Sequence, residues 1–358
     1  MLRAMLLGLL LSLLLSSCGG SAPMADQEQR NAGTEKVGSY EVVATSLNSP
    51  WSIAFSGDSI YVSERDGYIV KINGTDAERQ KVHLNRPVEQ LSESGFLGFV
   101  LSGDFQETGR AYAYHSYQEA GMMQNRIVLI EEREGEWHEL KALLDGIPGN
   151  IVHDGGRLAF GPDGMLYAAT GDAGQGELAQ DLNSLAGKIL RMTPDGAIPT
   201  DNPFPDSYVY SYGHRNPQGL DWDPAGRLFS VEHGPSGDPG GHDELNLIEP
   251  GANYGWPAVI GDAKQEGMRP PIYHTGNDTL APSGMAIDED GFIIVTGLAG
   301  ERLVRFTPEG KESGVLLEGE GRIRDVRFAD GNLYVITNNT DGRGTLRDED
   351  DRLLKLKY

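Results

Sequence analysis

The chain has 358 residues, of which 39% are hydrophobic, and contains 48 glycines and 19 prolines. The glycines and prolines recur along the whole chain, which favours many short strands joined by turns and argues against a disordered protein. The 53 acidic and 30 basic residues give a formal net charge of -23. A surface this acidic repels phosphate backbones, so nucleic acid is excluded as the expected partner.

The N-terminus carries an export signal. Arg3 precedes an apolar run, residues 4–15, which is too short to span a bilayer and is typical of a signal peptide. Residues 15–19 read LSSCG and resemble the lipobox of bacterial lipoproteins. The resemblance implies that residues 1–17 are a lipoprotein signal peptide and that a lipid on Cys18 anchors the chain to a membrane. The alternative is a signal that is uncleaved or conventionally cleaved, with an incidental cysteine.

The segment after the signal is predicted to be a tether. Residues 18–39 are polar and of low complexity, which is typical of a flexible linker. Cys18 is the only cysteine in the chain, so an intramolecular disulfide is impossible. We therefore expect an exported lipoprotein with a soluble body from residue 40 to 358, held on the periplasmic side of the outer membrane or at the cell surface.

One pattern recurs through this body: an apolar residue, a polar turn with glycine, and then a run of strand-forming residues. The six copies are FSGDSIYVS (55–63), FQETGRAYAYHSY (105–117), FGPDGMLYAAT (160–170), WDPAGRLFSVE (222–232), IDEDGFIIVTG (287–297) and FADGNLYVIT (328–337). Glycine turns of this kind suit tight hairpins between antiparallel strands.

The repeats predict an all-β fold, a six-bladed β-propeller. Repeats 40 to 65 residues apart are typical of propeller blades, each a small antiparallel sheet. Residues 40–44 (YEVVA) and 353–358 (LLKLKY) both read as strands, and together they could complete one blade from the two termini. Such closure would remove the exposed sheet edges.

Two segments supply candidate groups for proton transfer and anion binding. His153 precedes Gly155 and Gly156, which allow a ligand to approach the backbone closely, and Asp172 ends the strand that follows. A histidine can accept a proton near neutral pH if a second group orients its ring, although a lone histidine before a turn is usually structural. Further along, Asn216-Pro217 is a turn signal that would fix Arg215 at a loop, where it binds either loop carbonyls or a ligand.

Two further segments indicate a metal and a second anion contact. Gly234-Pro235 could present two carbonyl oxygens, and Asp243 and Glu244 offer carboxylates, the hard ligands that suit Ca²⁺. The spacing is not that of an EF-hand, and an ordinary acidic loop would read the same. In GRIRDVR (321–327), a strand would place both arginines on one face, where their partner is either carboxylates of a neighbouring blade or a polycarboxylate ligand.

Together these segments resemble the glucose/sorbosone dehydrogenase family, most closely its aldose sugar dehydrogenases. These are quinoprotein six-bladed propellers that use pyrroloquinoline quinone (PQQ). The motifs that carry the resemblance, in the order of the family, are HDGGRL (153–158), GHRNPQG (213–219), EHGP (232–235) with DELN (243–246), NYGWP (253–257) and RIRDV (322–326).

The resemblance implies a PQQ- and Ca²⁺-dependent enzyme that oxidises the C1 hydroxyl of aldose sugars to lactones and passes electrons to an unidentified acceptor. His153 matches the general base that takes the hydroxyl proton as hydride passes to PQQ, and Asp172 matches the carboxylate that supports it. Arg215, also a candidate catalytic residue, matches a group near the quinone oxygens. The remaining matches are Asn216, Arg322 and Arg324 for PQQ, Gly234 and Pro235 for the catalytic Ca²⁺, and Glu244, Tyr254 and Asp262 for a second, structural Ca²⁺.

Two positions depart from the pattern of the family. Glu93 stands where some relatives have a glutamine near cofactor or sugar, so a carboxylate is expected among the cofactor contacts. Gly300 stands where soluble glucose dehydrogenase has a PQQ-binding lysine, so one cationic contact is missing unless Arg302 reaches the site.

Two other functions are compatible with a propeller. One is a calcium-dependent lactonase or esterase, but such an enzyme has no evident use for the paired arginines 322 and 324. The other is a non-catalytic, lipid-anchored binding propeller with a degenerate cofactor site, as the glycine at position 300 would allow; the intact His153 and Arg215 argue against it.

Overall fold

The computed structural model describes residues 39–237 and 240–358. The signal peptide, the lipid anchor at Cys18 and nearly all of the expected tether lie outside the described residues. No helix within the described ranges is both long enough and apolar enough to cross a membrane.

The regular secondary structure of the described residues is almost entirely β-strand, which confirms the all-β prediction. In chain order the strands are β1 (Tyr40–Ala44), β2 (Pro50–Ser56), β3 (Ser59–Glu64), β4 (Tyr68–Asn73), β5 (Asp76–His83), β6 (Phe96–Leu101), β7 (Arg110–Glu119), β8 (Met122–Arg133), β9 (Glu136–Pro148), β10 (Leu158–Phe160), β11 (Leu166–Thr170), β12 (Lys188–Met192), β13 (Val209–Tyr212), β14 (Pro217–Trp222), β15 (Leu228–Glu232), β16 (Glu244–Ile248), β17 (Tyr273–His274), β18 (Pro282–Ile287), β19 (Ile293–Gly297), β20 (Arg302–Phe306), β21 (Glu312–Glu318), β22 (Ile323–Ala329), β23 (Asn332–Thr337) and β24 (Leu353–Lys357). A short helix α1 (Phe105–Thr108) and a 3₁₀ helix (Gly176–Ala179) interrupt them.

The strands are arranged in antiparallel meanders of four. Three meanders, β10–β13, β14–β17 and β18–β21, form separate sheets. Two more, β2–β5 and β6–β9, join into one eight-stranded sheet because β5 and β9 pair in parallel, with Val82 opposite Trp137 and His83 opposite His138. The last sheet has the order β1-β24-β23-β22. Both termini therefore complete one sheet, as the sequence predicted, with Val42 opposite Leu354.

The first strands of successive meanders pack against one another in a ring. β2 contacts β6, β6 contacts β10, and the series continues through β14 and β18 to β22, which contacts β2 again. Apolar side chains fill the space between neighbouring meanders: Tyr61, Phe99 and Trp137, for example, pack edge to face in one such layer. The six first strands begin at one end of the ring and finish at the opposite end. We call these two ends the mouths of the ring.

The six repeated turns lie between the first and second strands of the meanders. All six turn glycines have positive φ, from 55° at Gly57 to 84° at Gly291, a conformation that costs glycine little. The copy at 105–117 differs from the expected hairpin, because Phe105 begins helix α1 instead of ending a strand. Phe105 packs on Trp137, and Gly109 ends the helix in the left-handed conformation, its N–H donating to the Phe105 carbonyl at 2.7 Å.

Candidate active site

The candidate residues converge at the mouth where the first strands begin. Gly155 and Gly156 lead into β10, Asn216 leads into β14, and Arg322 leads into β22. A cavity of ≈160 Å³ lies among these strand starts. The predicted residues Glu93, Arg322 and Arg324 line it, together with Asp154, His233 and Arg343, which the sequence reading did not select.

His153 and Asp172 form a hydrogen-bonded pair at this mouth. The His153 Nδ1 atom lies 2.7 Å from Asp172 Oδ1, and the histidine side chain is 17% exposed, within reach of a ligand. Asp172 is held in turn: Trp256 Nε1 donates to its Oδ2 at 2.7 Å and the Gly174 N–H donates to its Oδ1 at 2.8 Å. A proton on Nδ1, facing the carboxylate, leaves Nε2 as the free acceptor of the ring.

The loop that carries His153 is tightly constrained. His153 has φ 60°, which is uncommon for a residue other than glycine. Its backbone N–H donates to Glu93 Oε2 at 2.9 Å, and its carbonyl accepts the N–H of Ala173 at 3.2 Å. Gly155 follows with φ 64°, and a Cβ there would lie 2.7 Å from the Ala169 carbonyl oxygen. The glycine is therefore needed for packing against β11 as well as for access to the cavity.

Glu93 joins this loop to the last loop of the chain. Its Oε1 accepts a hydrogen bond from Arg343 Nη1 at 3.1 Å, while Oε2 accepts the His153 N–H. Burial alone would raise the pKa of Glu93, but His233, the His153 N–H and Arg343 outweigh burial and lower the pKa. Glu93 is thus a carboxylate facing the cavity, as expected at this departure from the family pattern.

Arg215 and Asn216 lie beside the His153 loop. The Arg215 guanidinium lies over the Trp256 ring, 5.3 Å from its centre, and Nη2 donates to Ser236 Oγ at 3.1 Å. Burial lowers the pKa of Arg215. Asn216 Oδ1 accepts the Gly155 N–H at 3.0 Å. Among the described residues, Arg215 Nε and Asn216 Nδ2 are buried donors without a protein partner, and such donors favour an anionic or carbonyl-rich ligand.

Arg322 and Arg324 both line the cavity, although only Arg324 lies within β22, which begins at Ile323. They share Asp341 Oδ2, at 3.2 Å from Arg322 Nη2 and 4.0 Å from Arg324 Nη2. Asp341 belongs to the loop after β23, so this carboxylate comes from the same sheet and not from a neighbouring one. Burial lowers the pKa of both arginines, Arg324 well below its usual range.

Asp154, which is buried, and His233, which is half-buried, were not predicted from the sequence, and each keeps one side-chain atom without a partner among the described residues. Asp154 accepts hydrogen bonds through Oδ1 from Asn125 Nδ2 at 2.8 Å and the Asn150 N–H at 3.1 Å, but its Oδ2 has no partner in the described part of the chain. Burial raises the pKa of Asp154 to about 7 and lowers that of His233 to about 4. No local sequence pattern predicts the environment of Asp154 or His233, because the segments that cover these two side chains are distant in sequence.

The four predicted metal-binding residues share one small pocket. Gly234, Pro235, Glu244 and Tyr254 line it together with Glu232, which the sequence reading did not select. Glu232 and Glu244 both accept hydrogen bonds from Asn246 Nδ2, at 3.0 and 3.1 Å. Burial, and then the negative charge of Glu232, raise the pKa of Glu244 to about 8. Glu232 is buried and its Oε1 lies 2.9 Å from His214 Nδ1, whereas Glu244 is half-buried. Hard oxygen ligands of this kind suit Ca²⁺.

Two acidic residues considered for the metal lie elsewhere. The Asp243 carboxylate accepts the backbone N–H groups of Gly234, Leu280 and Ala281 at 2.7–2.9 Å, so it braces the loop that presents Gly234. Asp262 is fully exposed and its Oδ1 lies 3.3 Å from His274 Nε2. Neither carboxylate lines the pocket of Glu232 and Glu244.

The fold and this mouth define a β-propeller enzyme with a histidine–aspartate pair beside an arginine-lined cavity. Residues 47–348 match the family model of Glucose / Sorbosone dehydrogenase, and the chain belongs to this family. Membership makes the protein an oxidoreductase.

Three relatives place the chain within the family. It is 31% identical to aldose sugar dehydrogenase YliI of Escherichia coli K12, over 84% of this chain and 90% of that protein. It is 31% identical to quinoprotein glucose dehydrogenase B of Acinetobacter calcoaceticus, over 62% of this chain and 52% of that one. The PQQ-bound structure of aldose sugar dehydrogenase from Streptomyces coelicolor superposes with a TM-score of 0.81 and 42% identity, covering 89% of this chain and 98% of that one.

Proposed function

We propose that the protein is a PQQ- and Ca²⁺-dependent aldose dehydrogenase that oxidises the C1 hydroxyl of sugars to lactones. The observation that carries the proposal is the His153–Asp172 pair, with Nδ1 and Oδ1 2.7 Å apart, beside a cavity lined by arginines. The relatives named for aldose and glucose oxidation, one of them PQQ-bound, support the same substrate class and cofactor.

The arginines that line the cavity, together with Arg215 and Asn216, which lie beside the His153 loop and do not line the cavity, fit PQQ, a planar quinone with three carboxylates. Arg322 and Arg324 each keep a buried Nε without a partner among the described residues, and so does Arg215. Guanidinium groups bind carboxylates through charge-assisted, often bidentate hydrogen bonds. Asn216 Nδ2, also without a partner in the described structure, adds a neutral donor. These four residues, with Glu93 and His153 at the edge, would hold the cofactor.

His153 would act as the general base. Nε2 accepts the proton of the C1 hydroxyl, and Asp172 stabilises the imidazolium that forms and keeps the ring aimed at the cavity. Hydrogen bonds from Trp256 Nε1 and the Gly174 N–H hold the Asp172 carboxylate in place, and the carboxylate would in turn hold the orientation of the His153 ring. When bound, PQQ supplies the two-electron acceptor for the hydride that leaves C1. Arg215, over the Trp256 ring, would place positive charge where the acceptor gains negative charge.

Calcium belongs to the same proposal. The Gly234 and Pro235 carbonyls would hold the catalytic ion, and Glu244 with the Tyr254 carbonyl would hold a structural ion in the pocket described above. Ca²⁺ takes oxygen ligands in flexible numbers, and at the cofactor it would supply Lewis-acid polarisation. The second ion would offset the repulsion between the carboxylates of Glu232 and Glu244, which contributes to the raised pKa of Glu244.

We also propose that the fold is a six-bladed propeller. The ring contacts of the six first strands support this count, with the two meanders of the eight-stranded sheet taken as two blades joined by the parallel pairing of β5 and β9.

The catalytic proposal is tested with the protein reconstituted with PQQ and Ca²⁺. We expect dye-linked oxidation of glucose or another aldose, and a loss of kcat of about 10²–10⁴-fold in both His153→Ala and Asp172→Asn. PQQ binding, followed by absorbance, should survive in the Asp172 variant. Asp330→Asn, in the exposed turn after β22, is the matched control for Asp172→Asn and should keep full activity. A wild-type protein that binds no PQQ and oxidises no aldose would overturn the proposal, and lactone hydrolysis without PQQ would identify a lactonase instead.

The anchor at Cys18 remains a separate proposal, supported by the LSSCG motif of residues 15–19. We expect the expressed protein to incorporate radiolabelled palmitate and to fractionate with the outer membrane. Cys18→Ala should remove the label and shift the protein to the soluble periplasmic fraction. A labelled Cys18→Ala variant, or an unlabelled wild type in the soluble fraction, would contradict the anchor.

A further inference from the structure

The cavity is lined by a third arginine, Arg343, in the loop after β23. Its Nη2 lies 3.1 Å from Asp341 Oδ2 and its Nη1 lies 3.1 Å from Glu93 Oε1. The Arg343 side chain is 39% exposed, against 9% for Arg322 and 4% for Arg324. Arg343 is therefore the arginine of the three that has room to change partner.

The three guanidinium groups outnumber the carboxylates that pair with them. Asp341 is shared by Arg322, Arg324 and Arg343, at 3.2, 4.0 and 3.1 Å, and Glu93 pairs only with Arg343. Repulsion from Arg343 contributes to lowering the pKa of both other arginines. In a chain with a net charge of -23, this cavity is locally short of negative charge, which an anionic ligand would supply.

Gly300 cannot supply the missing cation. A Cβ at this position would lie 2.8 Å from Leu280 Cδ1 and 3.2 Å from Leu280 Cα, so a longer side chain does not fit without movement of the segment at Leu280. Arg302 does not line the cavity, whereas Ala281, Leu298 and Ala299 do. Among the described residues, the arginines that line the cavity are Arg322, Arg324 and Arg343.

We propose that Arg343 is a third carboxylate-binding cation of the cofactor cavity, beside Arg322 and Arg324. This inference rests on the proposed use of PQQ. On binding, Arg343 exchanges one of its two carboxylate partners for a carboxylate of the ligand. Because Glu93 also accepts the His153 N–H, the same residue connects cofactor binding to the loop that carries the base.

The test is a titration of the Ca²⁺-loaded protein with PQQ, followed by tryptophan fluorescence, since Trp51 lines the cavity. We expect Arg343→Ala to raise the Kd about 10-fold or more and Arg343→Lys to recover part of the affinity. Arg347→Ala is the matched control: it lies in the same loop, is 41% exposed and pairs with Glu320 at 3.1 Å, away from the cavity. Its Kd should equal that of the wild type.

The outcomes separate this inference from the proposed function. If Arg343→Ala binds PQQ as tightly as Arg347→Ala while Arg322→Ala binds weakly, the role of Arg343 is wrong and the proposed function stands. If the wild type binds no PQQ, both fail. Arg343→Gln, which keeps the size and hydrogen-bonding capacity of the side chain without its charge, replaces the alanine variant if that variant unfolds, and it should show the same rise in Kd.

A second cluster, independent of the cavity, lies at the junction of two meanders. His83 on β5 stands opposite His138 on β9 in the parallel pairing, and Glu136, two residues before His138, shares its face. The two imidazole rings stack, with centres 4.8 Å apart and planes within 8°. Glu136 Oε2 lies 3.1 Å from His83 Nε2 and 4.0 Å from His138 Nε2.

The donor set of this cluster is that of a transition-metal site. The three ligand atoms lie within 4.8 Å of one another, and all three side chains are open to solvent. Two imidazole nitrogens and one carboxylate oxygen suit Zn²⁺, whereas Ca²⁺ takes oxygen ligands alone. The strand register fixes the backbones of His83 and His138 relative to each other. We infer that this cluster binds Zn²⁺ and cross-links the two meanders at β5 and β9.

Isothermal titration calorimetry with ZnCl₂, in buffer containing Ca²⁺, tests whether the cluster of His83, Glu136 and His138 binds Zn²⁺. We expect one Zn²⁺ site in the wild type and its loss in the double variant His83→Asn, His138→Asn, with a Zn²⁺-dependent rise in Tm only when the cluster is intact. Glu78→Gln removes an exposed carboxylate of β5 outside the cluster and should bind as the wild type does. Equal Zn²⁺ binding by the wild type and the double variant would overturn the inference, as would a wild type that binds none.

Discussion

At the scale of the residue, the site depends on side chains whose charge is decided by burial. Asp154 is the clearest case, because it follows His153 directly, lines the cavity and keeps one oxygen unpaired within the described structure. Burial raises its pKa to about 7, and the hydrogen bonds from Asn125 and Asn150 only partly oppose this. Near neutral pH, the Asp154 carboxyl next to His153 therefore changes between an ionised form, which only accepts hydrogen bonds, and a protonated form, which can donate one.

Asp154 should make stability depend on pH. Between its ordinary pKa of 3.8 and its folded pKa of about 7, the folded state keeps a proton that the unfolded state has lost. Stability therefore falls as pH rises through this window, by at most about 4 kcal/mol. Asp154→Asn removes the titration, so we expect its free energy of unfolding to fall less than that of the wild type between pH 5 and pH 8. Urea denaturation at both pH values measures the difference, and parallel curves for the two proteins would contradict it.

At the scale of the element, local sequence patterns predicted turns and strands, whereas contacts between residues distant in sequence were not predicted. The six glycine turns and the two terminal strands were readable because a turn or a strand is specified by adjacent residues. His153 and Asp172 were also readable, since β10 and β11 are consecutive and bring the ends of one hairpin together. The pairing of Glu93 with Arg343 spans 250 residues and has no local pattern. The helix that begins at Phe105, in place of a plain hairpin turn, was not predicted, because the packing of Phe105 on Trp137 has no local sequence pattern.

A buried ion pair between Arg157 and Asp325 connects the first strands of several meanders. Arg157 Nη1 lies 3.2 Å from Asp325 Oδ1, and Arg157 Nε donates to the Gln218 carbonyl at 2.7 Å. Asp325 Oδ2 accepts the Ile53 N–H at 3.0 Å, and the Arg157 guanidinium lies 4.2 Å from the centre of the Trp51 ring. These contacts join β2, β14 and β22 to the segment leading into β10, and two of the residues involved, Trp51 and Gln218, line the cavity.

Removing the charge of Asp325 should destabilise this junction. Burial lowers the pKa of Arg157 and the charge of Asp325 opposes this, so Asp325→Asn removes the partner that stabilises the buried guanidinium. We expect a loss of about 3–5 kcal/mol in the free energy of unfolding, because one partner of a buried pair is left uncompensated. Urea denaturation measures the loss, with the exposed Asp330→Asn of the turn after β22 as the control. A loss below about 1 kcal/mol would show that the pair is not needed.

At the scale of the whole molecule, closure of the ring depends on the sheet shared by the two termini. β1 pairs with β24, and β24 pairs with β23, so neither β1 nor β23 presents an open edge on the side of β24. Leu354 is fully buried in this sheet, opposite Val42 on one side and Val335 on the other. The first strand of this sheet, β22, contacts β2 in the ring, so loosening the sheet affects the ring itself.

Leu354→Ala should therefore weaken the whole molecule and not only its C-terminus. The lost side-chain volume is expected to cost about 2–5 kcal/mol of unfolding free energy, whereas the exposed Lys357→Ala should change it by less than about 0.5 kcal/mol. Because the sheet closes the ring, tryptophan fluorescence and circular dichroism should shift to lower urea concentration together, in one cooperative transition. If β24 instead detaches alone, limited proteolysis would remove the terminus of the variant while both spectroscopic midpoints stay at the wild-type value. That result would mean that the ring is held by its inner strands and not by the pairing of the termini.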